Sequence, residues 1–102
     1  MNTTKTVDGF IFIIIDKETA KERLKNCEPI YRLHSDDTES LIEDENDLND
    51  TLLDNDKIGI DFQLKTLLIQ DYEEGAQNRF RNNDKRSFDE WLDDCITVFL
   101  ED

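Results

Sequence analysis

The single histidine of this 102-residue chain, His34, stands beside Ser35, Asp36 and Asp37, so an imidazole, a hydroxyl and two carboxylates occupy four consecutive positions. These are the group types of a nucleophile, a general base and its orienting acid. The spacing argues against that chemistry. Neighbours in an extended segment point to opposite faces, whereas a triad is assembled from separate parts of a fold. No Gly-x-Ser-x-Gly turn is present to expose a serine nucleophile. His34 therefore reads as a solvated histidine at the end of a strand, and the chain as non-enzymatic.

Metal chemistry has a nearer motif. Asp54-Asn55-Asp56-Lys57-Ile58-Gly59 places acids at positions 1 and 3 of a calcium loop and a glycine at position 6. Position 5 is then Ile58, and Lys65 falls at position 12, a cation where a bidentate Glu belongs. That excludes a standard calcium loop. It leaves Asp54 and Asp56 as the remaining metal candidates, within a loose surface group that adds Asp44, Asp47 and Asp50. Cys27, Cys95 and His34 lack zinc-ligand spacing. Gly9, Gly59 and Gly75 make no phosphate loop, so no cofactor is expected.

What the chain holds in excess is negative charge. Its 26 Asp/Glu against 12 Lys/Arg give a net charge of −14, and eleven of those acids, with a single lysine, lie in 35–62. Direct binding to nucleic acid or to an anionic membrane requires the opposite sign. An ordered acidic surface can instead imitate the phosphate spacing of a nucleic acid and occupy a basic groove, gaining speed by electrostatic steering. The partner-binding candidates are Asp36, Asp37, Glu43, Asp44, Glu45, Asp47 and Asp50. The expected function is thus a strongly acidic binding or regulatory protein that engages a basic protein partner, as a nucleic-acid mimic or inhibitor. The alternatives are a cation-binding or purely structural domain, and an enzyme with an unrecognised carboxylate site.

These residues must be positioned by a small fold. Phe10 to Ile15 is an unbroken apolar run, β-branched and aromatic, that suits a strand buried on both faces. A membrane span would need roughly 18 such residues. No secretory cleavage pattern follows it, so the chain reads as cytoplasmic with reduced cysteines. Residues 1–7 read as frayed. Asp16 caps a helix over 17–26 with Ala20, Leu24 and Cys27 on one stripe, stopped by Pro29. Strands over 30–34 and 39–43 flank an acidic turn. Leu48 and Leu52, at i and i+4, predict a short helix over 46–53. Alternation of Ile58, Ile60, Phe62 and Leu64 predicts a strand with one wet face over 57–64, and 65–74 reads as a helix ending at Gly75.

Residues 76–86, with the only basic cluster (Arg79, Arg81, Lys85, Arg86), read as a loop. Ser87-Phe88-Asp89-Glu90 is a capping box opening a helix over 87–100. Its stripe of Phe88, Trp91, Leu92, Cys95 and Phe99 should bury against a sheet, at about 1.5–3 kcal/mol for each large ring.

The stretch from Ile30 to Leu48, with an extended segment, an acidic turn and a leucine-bearing acidic helix in succession, resembles a pattern in small uncharacterised acidic bacterial and phage proteins. The resemblance implies a fold element and a bacterial or mobile-element setting, and no activity. Together these readings predict one α+β domain over 1–102: about four strands in a mainly antiparallel sheet, with helices packed mainly on one face.

Overall fold

The computed structural model describes residues 2–101. The chain opens with a hairpin: Thr4–Val7 (β1) pairs antiparallel with Phe10–Ile15 (β2). Residues 4–7 are therefore strand and not frayed. Asp8 and Gly9 have φ of 52° and 83°, the left-handed conformation at both central positions that lets a two-residue turn match the twist of its strands. Val7 is 1% exposed, and just upstream the Asn2 amide N–H donates to Asp93 Oδ1 at 2.6 Å.

After β2 come α1 (Lys17–Lys25), β3 (Tyr31–Leu33), β4 (Glu39–Leu41), α2 (Glu45–Leu53) and β5 (Lys57–Leu64). Three further helices follow: α3 (Lys65–Glu74), α4 (Ala76–Arg81) and α5 (Phe88–Glu101). The protein is α+β, with five strands rather than four, in the order β1-β2-β5-β3-β4 and antiparallel throughout. The strand expected over 30–34 shortens to 31–33, and that over 39–43 to 39–41. Within 76–86, read as a loop, Ala76–Arg81 is helical.

Cross-strand partners share a face of a sheet, so the register sorts the apolar residues. Ile13 lies opposite Ile60, and Ile15 opposite Ile58. Ile11, Ile13 and Ile60 join Leu68 of α3 and Leu92 and Ile96 of α5 in one cluster. Ile58 joins Ala20 of α1, Leu48 of α2, Ile30 and Ile42 in a second, and Ile15 packs against both. The alternate residue Phe12 forms a third cluster with Val7 and Leu33. This accounts for a β2 without a polar face.

Gly59 makes the third cluster possible. A Cβ there would stand 2.8 Å from Leu33 Cδ1 and 3.1 Å from the Phe12 Cβ. With no side chain on β5 at that point, residues of β2 and β3 meet across it, and the Tyr31 ring stands edge-on to Phe12 at 5.6 Å. The sheet curls further. Lys5 of β1 donates to the His34 carbonyl at 3.2 Å and lies 3.6 Å from Asp37 in the β3–β4 turn.

Alternation along β5 is broken by a bulge. Ile11 pairs with Gln63 but Phe12 pairs with Asp61, which leaves Phe62 as the extra residue. Phe62 packs against the first cluster, its ring 5.2 Å from that of Phe99. Leu64, which strict alternation would put on the same side, lies opposite Phe10 instead. At this end the rings of Tyr72, Phe88 and Trp91 pack together, Tyr72 edge-on to Phe88 and the other pairs tilted, and Arg79 sits 3.6 Å above the Tyr72 ring. The two helical groups occupy opposite ends of the long strands, giving an elongated body of 50 × 28 × 19 Å.

Candidate functional site

Seven of the eleven acids of 35–62 lie in α2 or at its two ends. Asp44 is its N-cap, extended at φ −148°, and accepts the Asp47 amide at 2.9 Å. Asp47 Oδ2 accepts the Glu43 amide at 3.2 Å. Two of the candidate acids thus satisfy amides that the helix start leaves without partners, and their charge sits at the positive end of the helix dipole. Glu43, Glu45 and Asp50 are exposed, and among the described residues their carboxylates make no hydrogen bond or ion pair. No basic residue occupies the last turn of α2.

Asp36 and Asp37 sit in the β3–β4 turn, with Asp37 left-handed at φ 62°. Asp36 Oδ1 accepts the Thr38 hydroxyl at 2.6 Å and its amide at 3.3 Å. Those bonds, the hydroxyl first, and a smaller contribution from His34 hold the Asp36 carboxyl below its usual range. Asp37 turns the other way, toward Lys5. The two acids of the turn are therefore not one surface with those of α2.

Asp54-Asn55-Asp56, which looked like the start of a calcium loop, is the C-terminal cap of α2. Asn55 is left-handed at φ 60°, and the Asp56 and Asn55 amides return to the carbonyls of Thr51 and Leu52 at 3.1 and 3.2 Å. Both carboxylates then meet Arg32 of β3. Its Nη2 donates to Asp54 at 2.6 Å, and its Nε donates to Asp56 at 2.7 Å. Asp54 chiefly, and then Asp56, push the guanidinium above its ordinary value. A resident arginine occupies the place a cation would take. Among the described residues no group of three or more His, Cys, Asp or Glu is gathered for a metal ion.

A small cleft beside this pair contains the most chemical grouping in the molecule. His34 Nε2 lies 2.9 Å from Ser40 Oγ across the β3–β4 hairpin, and His34 Nδ1 lies 3.7 Å from Asp56 Oδ2. Arg32, Thr51, Asp47 and Asp50 line the same cavity of about 150 Å³. His34 does stand at the end of a strand, but it is half-buried and within reach of Ser40 rather than solvated. The serine that reaches it is Ser40 and not the adjacent Ser35. Sequence reading misses Ser40 and Asp56 as neighbours of His34, because they stand six and 22 positions away. The signal available was the hairpin itself, which brings 34 and 40 together once its turn is centred on 36.

The order serine–histidine–aspartate is that of a nucleophilic triad, but the geometry falls short. At 3.7 Å the aspartate makes no hydrogen bond to the ring. The same Oδ2 already accepts Arg32 Nε, which leaves it a poor orienter of the imidazole. As it stands, the network ties β3, β4 and the end of α2 together.

No protein-family model, curated protein or solved structure matches the chain. Among the described residues no helix is long and apolar enough to cross a membrane.

Proposed function

We propose that the protein is a non-enzymatic binding or regulatory protein whose acidic α2 end engages a basic protein partner in the manner of a nucleic-acid mimic or inhibitor. The observation that carries this reading is that Glu43, Glu45 and Asp50 are exposed, close in sequence and without an ion pair among the described residues, Lys21 and Lys25 sharing a cavity with Glu43 and Glu45 but forming no bridge to them. Crowded like charges destabilise a compact state through self-repulsion. A cationic partner turns that cost into affinity and a faster association rate. Arg32 supports the same view, because Asp54 and Asp56 are held in ion pairs with it, while the acids at the start of α2 make none among the described residues.

In this reading α1, α2, α3 and α5 cover one face of the sheet, and α2 offers its outer side to the partner. The acidic surface consists of Glu43, Asp44, Glu45, Asp47 and Asp50. The setting is the cytoplasm of a bacterium or an infected cell. No direct contact with nucleic acid or membrane is involved.

The test is capture of proteins from bacterial lysate at low salt, eluted with a salt gradient. The comparison bait carries Glu43→Gln, Glu45→Gln, Asp47→Asn and Asp50→Asn, leaving the Asp44 cap in place. One basic protein that elutes late from the native bait and is lost from the variant supports the proposal. Equal retention by both baits, or no specific retention, refutes it.

A further inference from the structure

The hydrogen-bond pattern of β4 leaves its outer edge available. His34 N–H donates to the Thr38 carbonyl at 2.8 Å, and Ile42 N–H donates to the Ile30 carbonyl at 3.0 Å. Bonded and non-bonded pairs alternate along an antiparallel ladder. Arg32 and Ser40 are therefore a bonded pair, while Tyr31–Leu41 and Leu33–Glu39 are not. Glu39 and Leu41 consequently turn their backbone N–H and C=O groups away from β3, on the side where β4 is the last strand of the sheet.

Beside this edge lies a groove of about 360 Å³. Leu24, Pro29, Leu41 and Ile42 supply its apolar surface, and Glu28 and Glu43 flank it. Leu41 is 51% exposed, a large apolar residue at the mouth of the groove. The C-terminal end of α1, the negative pole of that helix, closes one side.

Resting on the function proposed above, we propose that β4 is the docking edge for an extended, basic segment of the partner, which adds to the sheet as a sixth strand. Its main chain bonds to Glu39 and Leu41, one apolar side chain enters the groove, and flanking Lys or Arg side chains meet Glu39 and Glu43, Glu28 being held by Arg23 at 3.4 Å. Strand addition draws affinity from main-chain bonds and specificity from side-chain pockets. Charge decides the occupant. A second copy pairing edge to edge would set Glu39 and Glu43 against their own kind, the usual way an exposed edge resists self-association. A cationic strand meets no such repulsion. Lys21 and Lys25 line the neighbouring cavity of about 490 Å³ with Glu43, Asp44 and Glu45. The cationic residues of the segment must therefore lie close on either side of its apolar anchor and not form a long basic run.

The probe is a seven-residue peptide alternating Lys and Val, titrated into the ¹⁵N-labelled full chain. Its controls are the same peptide N-methylated at alternate amides and a Glu-Val counterpart. The expected result is shifted and exchange-protected amides at Glu39 and Leu41, no binding of the acidic peptide, and affinity lowered about tenfold or more by N-methylation. Glu39→Gln with Glu43→Gln should also weaken binding and flatten its salt dependence. Binding that ignores N-methylation and shifts Glu45, Asp47 and Asp50 instead overturns strand addition but leaves the acidic face as the recognition surface. Failure of the peptide to bind, while lysate capture retains a basic protein, has the same meaning. Failure of both removes the proposed function together with its docking edge.

Discussion

Gly59→Ala probes the feature on which the curled sheet depends. The new methyl would lie 2.8 Å from Leu33 Cδ1 and 3.1 Å from the Phe12 Cβ. Those residues are 1% and 3% exposed, so neither can swing into solvent. Overpacking of this kind costs about 1–3 kcal/mol. Gly59 is not among the residues with positive φ, so alanine recovers about 0.4–1 kcal/mol by restricting the unfolded chain. The expected net loss is about 0–2.6 kcal/mol, from the difference of these two ranges. In a chain of this size each kcal/mol lowers Tm by about 4–8 °C. Urea unfolding followed by Trp91 fluorescence and by far-ultraviolet circular dichroism measures the loss and checks two-state behaviour.

Leu33→Ala alone should cost about 2–5 kcal/mol through the cavity it leaves. In the double variant the methyl added at position 59 takes up part of that cavity and the clash is gone. The double variant should therefore be more stable than the sum of the singles by about 0.5 kcal/mol or more. A Gly59→Ala protein as stable as the native one, with no coupling to Leu33, would refute the tight closure of Phe12 and Leu33 over β5.

Other positions give simpler expectations. Cys27 is left-handed at φ 58°, in the C-terminal cap of α1 where Glu28 N–H returns to the Arg23 carbonyl at 2.8 Å; Cys27→Gly should raise stability by about 1 kcal/mol in urea unfolding. Asp44→Ala should lose about 1 kcal/mol with the cap of α2, whereas Asp44→Asn, which keeps the acceptor oxygen, should stay close to native in the same assay. The Arg86 hydrogen bonds hold Asp84 down to about 2, and Asp84 and Asp94 push Arg86 above its ordinary value. Because the folded value of Asp84 lies below the unfolded one, its contribution to stability is complete above about pH 4 and is lost as pH falls through about 2. A carboxyl-carbon NMR titration should place Asp84 near that value, and Arg86→Gln should raise it toward the usual aspartate range, short of it because the position-86 amide still donates to Asp84.

Elements whose physics is local were legible in the residues alone. The apolar run at Phe10–Ile15 demanded a buried strand, Asp16 and Ser87 marked helix starts, and acids before Leu48 favoured another, since caps and dipoles act within one turn. The Asp8-Gly9 pair is an equally local signal for the first hairpin, and the polar character of Asn2 to Lys5 masks it. The surplus of charge in 35–62 was legible too, because charge is a property of composition.

Which groups meet, by contrast, follows from the assembled sheet. Arg32 reaches Asp54 and Asp56 from 22 and 24 positions away, which converts an apparent calcium loop into an internally neutralised helix cap. Ser40, not Ser35, approaches His34 because the hairpin register sets their separation. A single bulge at Phe62 moves Leu64 to the side of Phe10, an offset that no count of alternating residues contains, since register belongs to the pair of strands and not to either sequence alone.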